Sequence, residues 1–218
     1  MSTLVLNKNE TTRLLNEKGT PVIDISFGVN WGKINRAGTS KASGLLGKAL
    51  SFVGAEKAIL EDVDLDLSLI LADGDKKKVD IVYFGKLRSS CGSVTHTGDD
   101  RSGDDEDDGM DNEIITIKGL KVPSNVKHMY AVLNSYSHQK FDEIPYIGIN
   151  IYDGLVKDGK GMKIAEFNME NDKKFAGKEC AILARLDRTG SGWEVTVIGE
   201  NTTDKTLTDL TRTVLRNY

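Results

Sequence analysis

Cysteine and histidine are scarce in this chain, with two and three copies respectively among 218 residues. Cys91 and Cys180 stand too far apart in sequence to form a metal-ligand spacing, and the scarcity points to a reduced, cytoplasmic setting rather than a disulfide framework. With so little sulfur and imidazole, soft and transition metals are poorly served. No apolar run approaches the roughly 18 residues that a membrane-spanning helix needs. The start, MSTLVLNKNETTRLL, lacks the basic segment and long apolar core of a secretory signal. Lys and Arg are scattered rather than gathered into a stripe, which argues against a nucleic-acid partner.

Short strands, by contrast, are abundant. PVIDISFGV (21–29), VDLDLSLIL (63–71), VDIVYF (79–84), EIITI (113–117), MYAVLNSY (129–136), YIGINIY (146–152), ECAILARLD (179–187) and GWEVTVIG (192–199) are brief apolar or alternating runs punctuated by Gly, Asn and Asp. That density predicts an all-β fold, a β-sandwich of two mainly antiparallel sheets with acidic loops and short peripheral helices, as one domain over 1–218. LADGD and RTGSGW supply hairpin turns. Leu207, Leu210 and Val214 share a helical face near the C-terminus, predicting a short helix docked on a sheet. Leu45, Leu46, Ala49, Leu50 and Val53 also recur at helical spacing. The 44–53 segment could therefore pack on the sandwich edge or touch a membrane surface or partner.

The charge is unevenly placed. GDDRSGDDEDDGMDNE, from Gly98 to Glu113, carries nine acids and one base, Arg101. Removing that net −8 from a formal total of −4 leaves the rest of the chain at +4. Two carboxylates about 5 Å apart repel by roughly 3 kcal/mol at an effective dielectric near 20, so such a loop is either loose and solvated or neutralised by a cation. A second acidic feature reinforces the second option. In EDVDLDLSLIL, strand alternation puts Val63, Leu65, Leu67 and Leu69 on one face and Asp62, Asp64, Asp66 and Ser68 on the other. Carboxylates from several positions, with Gly for tight turns, suit a hard cation; surplus acids favour Ca2+ over the stricter octahedron of Mg2+. An EF-hand does not fit, because Ile115 falls at the twelfth position counted from Asp104.

The ordered series FGVNWG, DVDLDLSLIL, VDIVYFGKLRSSCGSVTHTGDDRSGD, DDGMDNEIITI, LNSYSHQKFDEIPYIGINIYDG and WEVTVIG resembles the TerD family of bacterial tellurium-resistance and stress-response proteins, most closely its TerZ/TerX-type branch. The resemblance runs from about Leu4 to Val214. It implies a β-sandwich whose adjacent loops bind about two Ca2+ ions, without enzymatic activity. Other stress or tellurite-resistance proteins would be its partners. The family's strand motif gives the ligand role to Asp64 and Asp66, its next step to Asp99 and Asp100, and its closing step to Asp111, Asn112 and Glu113. Between them it matches Asp104, Asp107 and Asp108. Glu106 stands where a Gly is usual and Cys91 where an Asp commonly precedes the Gly.

The rival reading is a metal-dependent hydrolase in which Asp64, Asp66, Asp99 and Asp108 hold two cations that activate water. It lacks a base placed beside a nucleophile. Ser89, Ser90 and Ser93 with His96 and Asp99 could suggest a triad, but no nucleophile elbow accompanies them. GLLGKAL is not a phosphate loop, since Ala49 and Ala42 replace required residues. Trp31 and Trp193 are expected in the core.

Overall fold

The computed structural model describes residues 3–37, 58–157, 161–169 and 176–218. The 44–53 segment therefore lies outside the described residues.

Alternation builds two six-stranded layers. One sheet runs β1 (Leu4–Val5), β12 (Met162–Asn168), β11 (Ile147–Asp153), β3 (Ile25–Trp31), β9 (Glu113–Ile117) and β8 (Val94–His96). The other runs β2 (Thr11–Arg13), β14 (Trp193–Thr202), β13 (Cys180–Arg188), β10 (His128–Ser135), β6 (Leu65–Ala72) and β7 (Lys78–Val82). A small ribbon pairs β4 (Ile34–Asn35) with β5 (Leu60–Glu61). Every one of these pairings is antiparallel except β1 with β12. The predicted sandwich of two mainly antiparallel sheets is the fold observed.

The layers meet through side chains at every second position. Leu65, Leu67, Leu69 and Leu71 of β6 join Met129, Ala131 and Leu133 of β10, and face Phe27, Val29, Ile115, Ile117, Ile149 and Ile151 of the other sheet. Each fully buried leucine contributes roughly 2 kcal/mol of apolar transfer, so the alternating run fixes the register of β6 strongly. The opposite face of the second sheet carries its own apolar patch, Ile70, Tyr130, Val132, Cys180, Ile182 and Ile198. The predicted C-terminal helix, α1 (Leu207–Asn217), covers that patch with Leu210 and Val214. Its start is capped by Thr206, whose Oγ1 accepts the Asp209 N–H at 3.1 Å.

Two edges meet on one side of the sandwich, where β9 lies against β6 and β8 against β7. The acidic loop leaves β8 and re-enters at β9, and it therefore sits over the end of β6 that carries Asp64 and Asp66. Strands that the alternation did not announce, the short β1, β2 and β8 and the seven-residue β12, extend the sheets toward their edges.

Candidate metal centre

Strand geometry starts the site. Asp64 and Asp66 point away from the leucine core, yet both are buried, at 7% and 2% exposure. Asp62, the third acid of that face, does not join them. It is exposed and ion-paired with Lys33 Nζ at 3.1 Å, which also holds Asp105 at 2.8 Å. Alternation assigned the face correctly; the turn into the strand removes its first acid from the cluster.

The acidic loop does not turn all its charge toward one centre. Its root is tied to the chain on both sides: Lys33 N donates to Asp104 O at 2.9 Å, Asp104 N to Trp31 O at 3.0 Å, and Val63 N to Ser102 O at 2.9 Å. Trp31 is fully buried beneath it and donates Nε1–H to Val63 O at 2.8 Å. Gly103 rests on that indole with φ +71°, and a Cβ there would lie 2.7 Å from the ring. Glycine is needed on both counts.

Most of the loop acids are occupied by donors within the loop. Asp100 Oδ1 accepts from Ser102 N (2.9 Å), Ser102 Oγ (2.9 Å) and Gly103 N (3.2 Å), and its Oδ2 from Asn112 Nδ2 (3.2 Å). Burial pushes this carboxyl up, but those donors more than offset it and hold it below the usual range. Asn112 also donates to Asp104 Oδ1 at 2.9 Å and accepts from Trp31 N at 2.7 Å, so it works as a clasp. Asp107 and Asp108 are exposed and accept from Gly109 N and Met110 N in local turns. Asp111 turns to the outer side of the first sheet, where Asn150 Nδ2 and Tyr152 Oη each donate to it at 2.6 Å. It lies over Gly28, where a Cβ would fall 2.0 Å from its Oδ2.

Glu113 is fully buried and bridges the two sheets. Its Oε2 accepts from Leu67 N at 2.8 Å and its Oε1 from Asp100 N at 3.3 Å. His96, also buried, lies 3.4 Å from the same Oε2, while its Nε2 sits 3.0 Å from Leu67 O and its Nδ1 accepts from Gly98 N at 3.1 Å. Both ring nitrogens are thereby spoken for by the backbone. The serines near it belong to a separate turn, where Ser89 Oγ accepts from Val94 N.

Asp64, Asp66 and Asp99 remain. Each offers a carboxylate oxygen, and these three atoms lie within 4.8 Å of one another. Among the described residues they form the one such group of three or more metal-ligating acids, histidines or cysteines. Burial, then the charges of Asp99, Glu113 and Asp100, raises the Asp64 carboxyl to about 6. Burial raises Asp66 to about 7 against the opposing hydrogen bond from Asn134, with Glu113, Asp64 and Asp99 adding to the rise. Arg101 reaches Asp99 at 3.7 Å, but its side chain is 77% exposed, and an ion pair in that position is screened. Asp64 Oδ1 is buried with no hydrogen-bond partner. An orphaned anionic oxygen beside two further carboxylates is an all-oxygen, electron-rich donor set of the kind a hard divalent cation neutralises, so the residues present fit Ca2+.

Asn134 escaped the sequence reading. Its Nδ2 donates to Asp66 Oδ2 at 2.7 Å, and the signal available was a single amide in the otherwise apolar run MYAVLNSY.

Comparison with known proteins places this geometry in context. A family model described as the TerD domain matches residues 3–213. The chain is similar to the tellurium resistance protein TerZ of Serratia marcescens, 29% identical over 205 residues that cover 94% of this chain and 93% of that protein. It is 30% identical over 192 residues to the stress response protein SCP2 of Bacillus subtilis (strain 168), covering 85% and 86%. Among solved structures, a homologue of telluride resistance protein (TerD) from Streptomyces coelicolor A3(2) superposes with a TM-score of 0.56 at 14% identity, over 85% of this chain and 92% of that one. That likeness bears on the fold alone.

Proposed function

The chain belongs to the TerD domain family of tellurium-resistance and stress-response proteins, and from that premise we propose that it is a non-enzymatic Ca2+-binding module. The observation that carries the reading is the cluster of Asp64, Asp66 and Asp99, one carboxylate oxygen of each within 4.8 Å of the others, together with the buried, unpartnered Asp64 Oδ1. Asp64, immediately before β6, and Asp66 within it would hold the ion from one side, and Asp99 from the acidic loop. The metal supplies positive charge where the described protein groups supply little, and it ties a loop to a strand. A second ion, expected from the sequence, would draw on the exposed tip acids Asp107 and Asp108 with Asp104.

Resistance then works through order rather than turnover. Neutralising the cluster fixes the loop against β6 and presents a defined surface to other stress or tellurite-resistance proteins. The acidic surface would repel tellurite, so direct capture of the oxyanion does not follow from it. The hydrolase reading needs a base free to activate water, and His96 has both nitrogens committed. Among the described residues no helix is long and apolar enough to cross a membrane.

Calorimetric titration of chelator-treated protein tests the proposal. Ca2+ uptake is expected, and at a hundredfold excess over Kd it should stabilise the fold by about 2.7 kcal/mol, raising Tm by roughly 5–10 °C. No heat and no Tm change at millimolar Ca2+ would overturn it. Ca2+-dependent turnover of phosphate esters that disappears in Asp64→Asn would favour the hydrolase.

A further inference from the structure

Four side-chain oxygens on the outward face of the β6–β10 pair are buried and unpartnered; Tyr130 Oη lies farther along the ladder, opposite Ile70, while the other three, Asp64 Oδ1, Asn134 Oδ1 and Ser68 Oγ, gather toward the end that carries the acidic cluster. These three are neighbours by register, since Asn134 pairs with Asp66 and Val132 with Ser68. All three residues are more than nine-tenths buried. A buried acceptor left without a donor costs about 1–3 kcal/mol, and more when it is charged. Such a concentration of orphans around one strand end marks a place built for something that donates positive charge.

We infer that the side-chain oxygen of Asn134 is a protein ligand of the cation held by Asp64 and Asp66. The inference rests on the Ca2+ reading above and gives a ligand role to a residue that has none in the family's acidic motifs or in the carboxylate cluster. The amide orientation is set by chemistry. Nδ2 lies 2.7 Å from Asp66 Oδ2, and the flipped amide would press a carbonyl oxygen against a carboxylate oxygen. With NH2 spent on Asp66, Oδ1 of the same small planar group stays beside the cluster and has no donor.

A single cation satisfies several acceptors at once, whereas a hydroxyl donates to one and a water to two. Asp64 Oδ1 and Asn134 Oδ1 accept only, and Asp66 and Asp99 are acceptors when ionised. Ca2+ takes 6–8 oxygens and uses carboxamide oxygens readily; a neutral oxygen fills a coordination position without adding to the repulsion among the acids. Ser68 Oγ differs, because a hydroxyl can rotate to find an acceptor. It serves as the control.

Europium(III), bound in place of Ca2+, reports the number of metal-bound waters through its luminescence lifetimes in H2O and D2O. In Asn134→Leu the count should rise by about one as water replaces the lost oxygen, and Ca2+ affinity should fall about tenfold or more. In Asn134→Asp, which keeps an oxygen, and in Ser68→Ala, the count should match the wild type. Weakened affinity with an unchanged water count in Asn134→Leu would mean that Asn134 only positions Asp66, and would overturn the inference. So would a count that rises in Ser68→Ala instead. Should Asn134→Leu fail to fold, the wild-type protein decides: the Asn134 13Cγ resonance must shift on Ca2+ addition together with those of Asp64 and Asp66, and its staying fixed refutes the assignment. If the wild type takes up neither Eu3+ nor Ca2+, the Ca2+ reading itself falls; if it binds and the Asn134 variants behave like it, only this inference does.

Discussion

Two buried acidic sites in this molecule are neutralised in opposite ways. Glu179, 4% exposed at the start of β13, is met by three basic side chains: His138 Nδ1 at 2.9 Å, Lys205 Nζ at 2.9 Å and Lys140 Nζ. Asp64 and Asp66 are buried comparably, yet their neighbours are Asp99, Asp100 and Glu113, and the cation that reaches the cluster, Arg101, is largely solvated. The chain thus supplies its own counterions at one buried carboxylate and withholds them at two others. Burying charge without a partner costs several kcal/mol, so the second arrangement makes physical sense only if protons or a metal ion complete it.

The largest effect that separates the sites is the pH dependence of the metal-free protein. Burial first, then the neighbouring acids, raise Asp64 and Asp66 well above the ordinary aspartate range, to about 6 and about 7. Between that range and these values the folded state binds more protons than the unfolded one, so stability falls as pH rises. From about pH 5 to about pH 7.5 the loss should be on the order of 3 kcal/mol, read as a falling urea midpoint in chelator. Carboxyls held low, such as Asp80 and Asp100, act in the opposite sense, but their contribution is complete below that window. Saturating Ca2+ should flatten the slope, because the metal competes with the protons. A midpoint that rises across the window in chelator would show that the cluster is not strained by its own charge.

Next in size is the loss of one cluster charge. Asp66→Asn should weaken Ca2+ binding roughly a hundredfold, equivalent to about 2.7 kcal/mol, while the metal-free protein at pH 7.5 becomes more stable than the wild type. Opposite signs for the two measurements are the point of the experiment. An ordinary buried residue loses stability in every condition when altered, whereas a ligand held under repulsion gains stability without metal and loses it with metal. Destabilisation in both conditions would remove the distinction drawn from Glu179.

That distinction predicts a smaller, one-sided result at the other site. Glu179→Gln should cost about 1–2 kcal/mol, measured by urea unfolding, and leave Ca2+ affinity within twofold. The figure lies below the usual cost of breaking a buried pair because Lys140, His138 and Lys205 are 33%, 66% and 60% exposed and regain water. A large change in Ca2+ binding would show that the two regions are coupled.

How much of this was legible in the sequence follows from range. Alternation in VDLDLSLIL and the compact run EIITI announced β6 and β9 because both strands carry their own periodicity. Thr11–Arg13 and Val94–His96 are three residues long and exist as strands only because β14 and β9 offer them partners. The site divides similarly. The acids of 62–66 and 98–113 stood out by composition, but composition could not say that Asp100, Asp104 and Asp111 turn to Asn112, Tyr146, Asn150 and Tyr152. Asn112 is within the loop, but Tyr146, Asn150 and Tyr152 come from a segment about forty residues on, just before and inside β11. Nor could it reveal Asn134, which reaches Asp66 only through the β6–β10 register.

Asp62 gives the finest test, because period alone groups it with Asp64 and Asp66 while the structure separates them. Its side chain is 65% exposed and shares Lys33 with Asp105. Exposed pairs of this kind contribute about 0.2–1 kcal/mol, and a charge in water adds little to a buried centre. Asp62→Asn should therefore change Ca2+ affinity less than threefold and stability by under about 0.5 kcal/mol, whereas the same exchange two residues later at Asp64 should weaken binding by well over tenfold. Calorimetry on the two variants side by side isolates what burial adds to an otherwise identical carboxylate. Equal losses at both positions would mean that the whole acidic face acts as a diffuse field and that the cluster of three is not a centre.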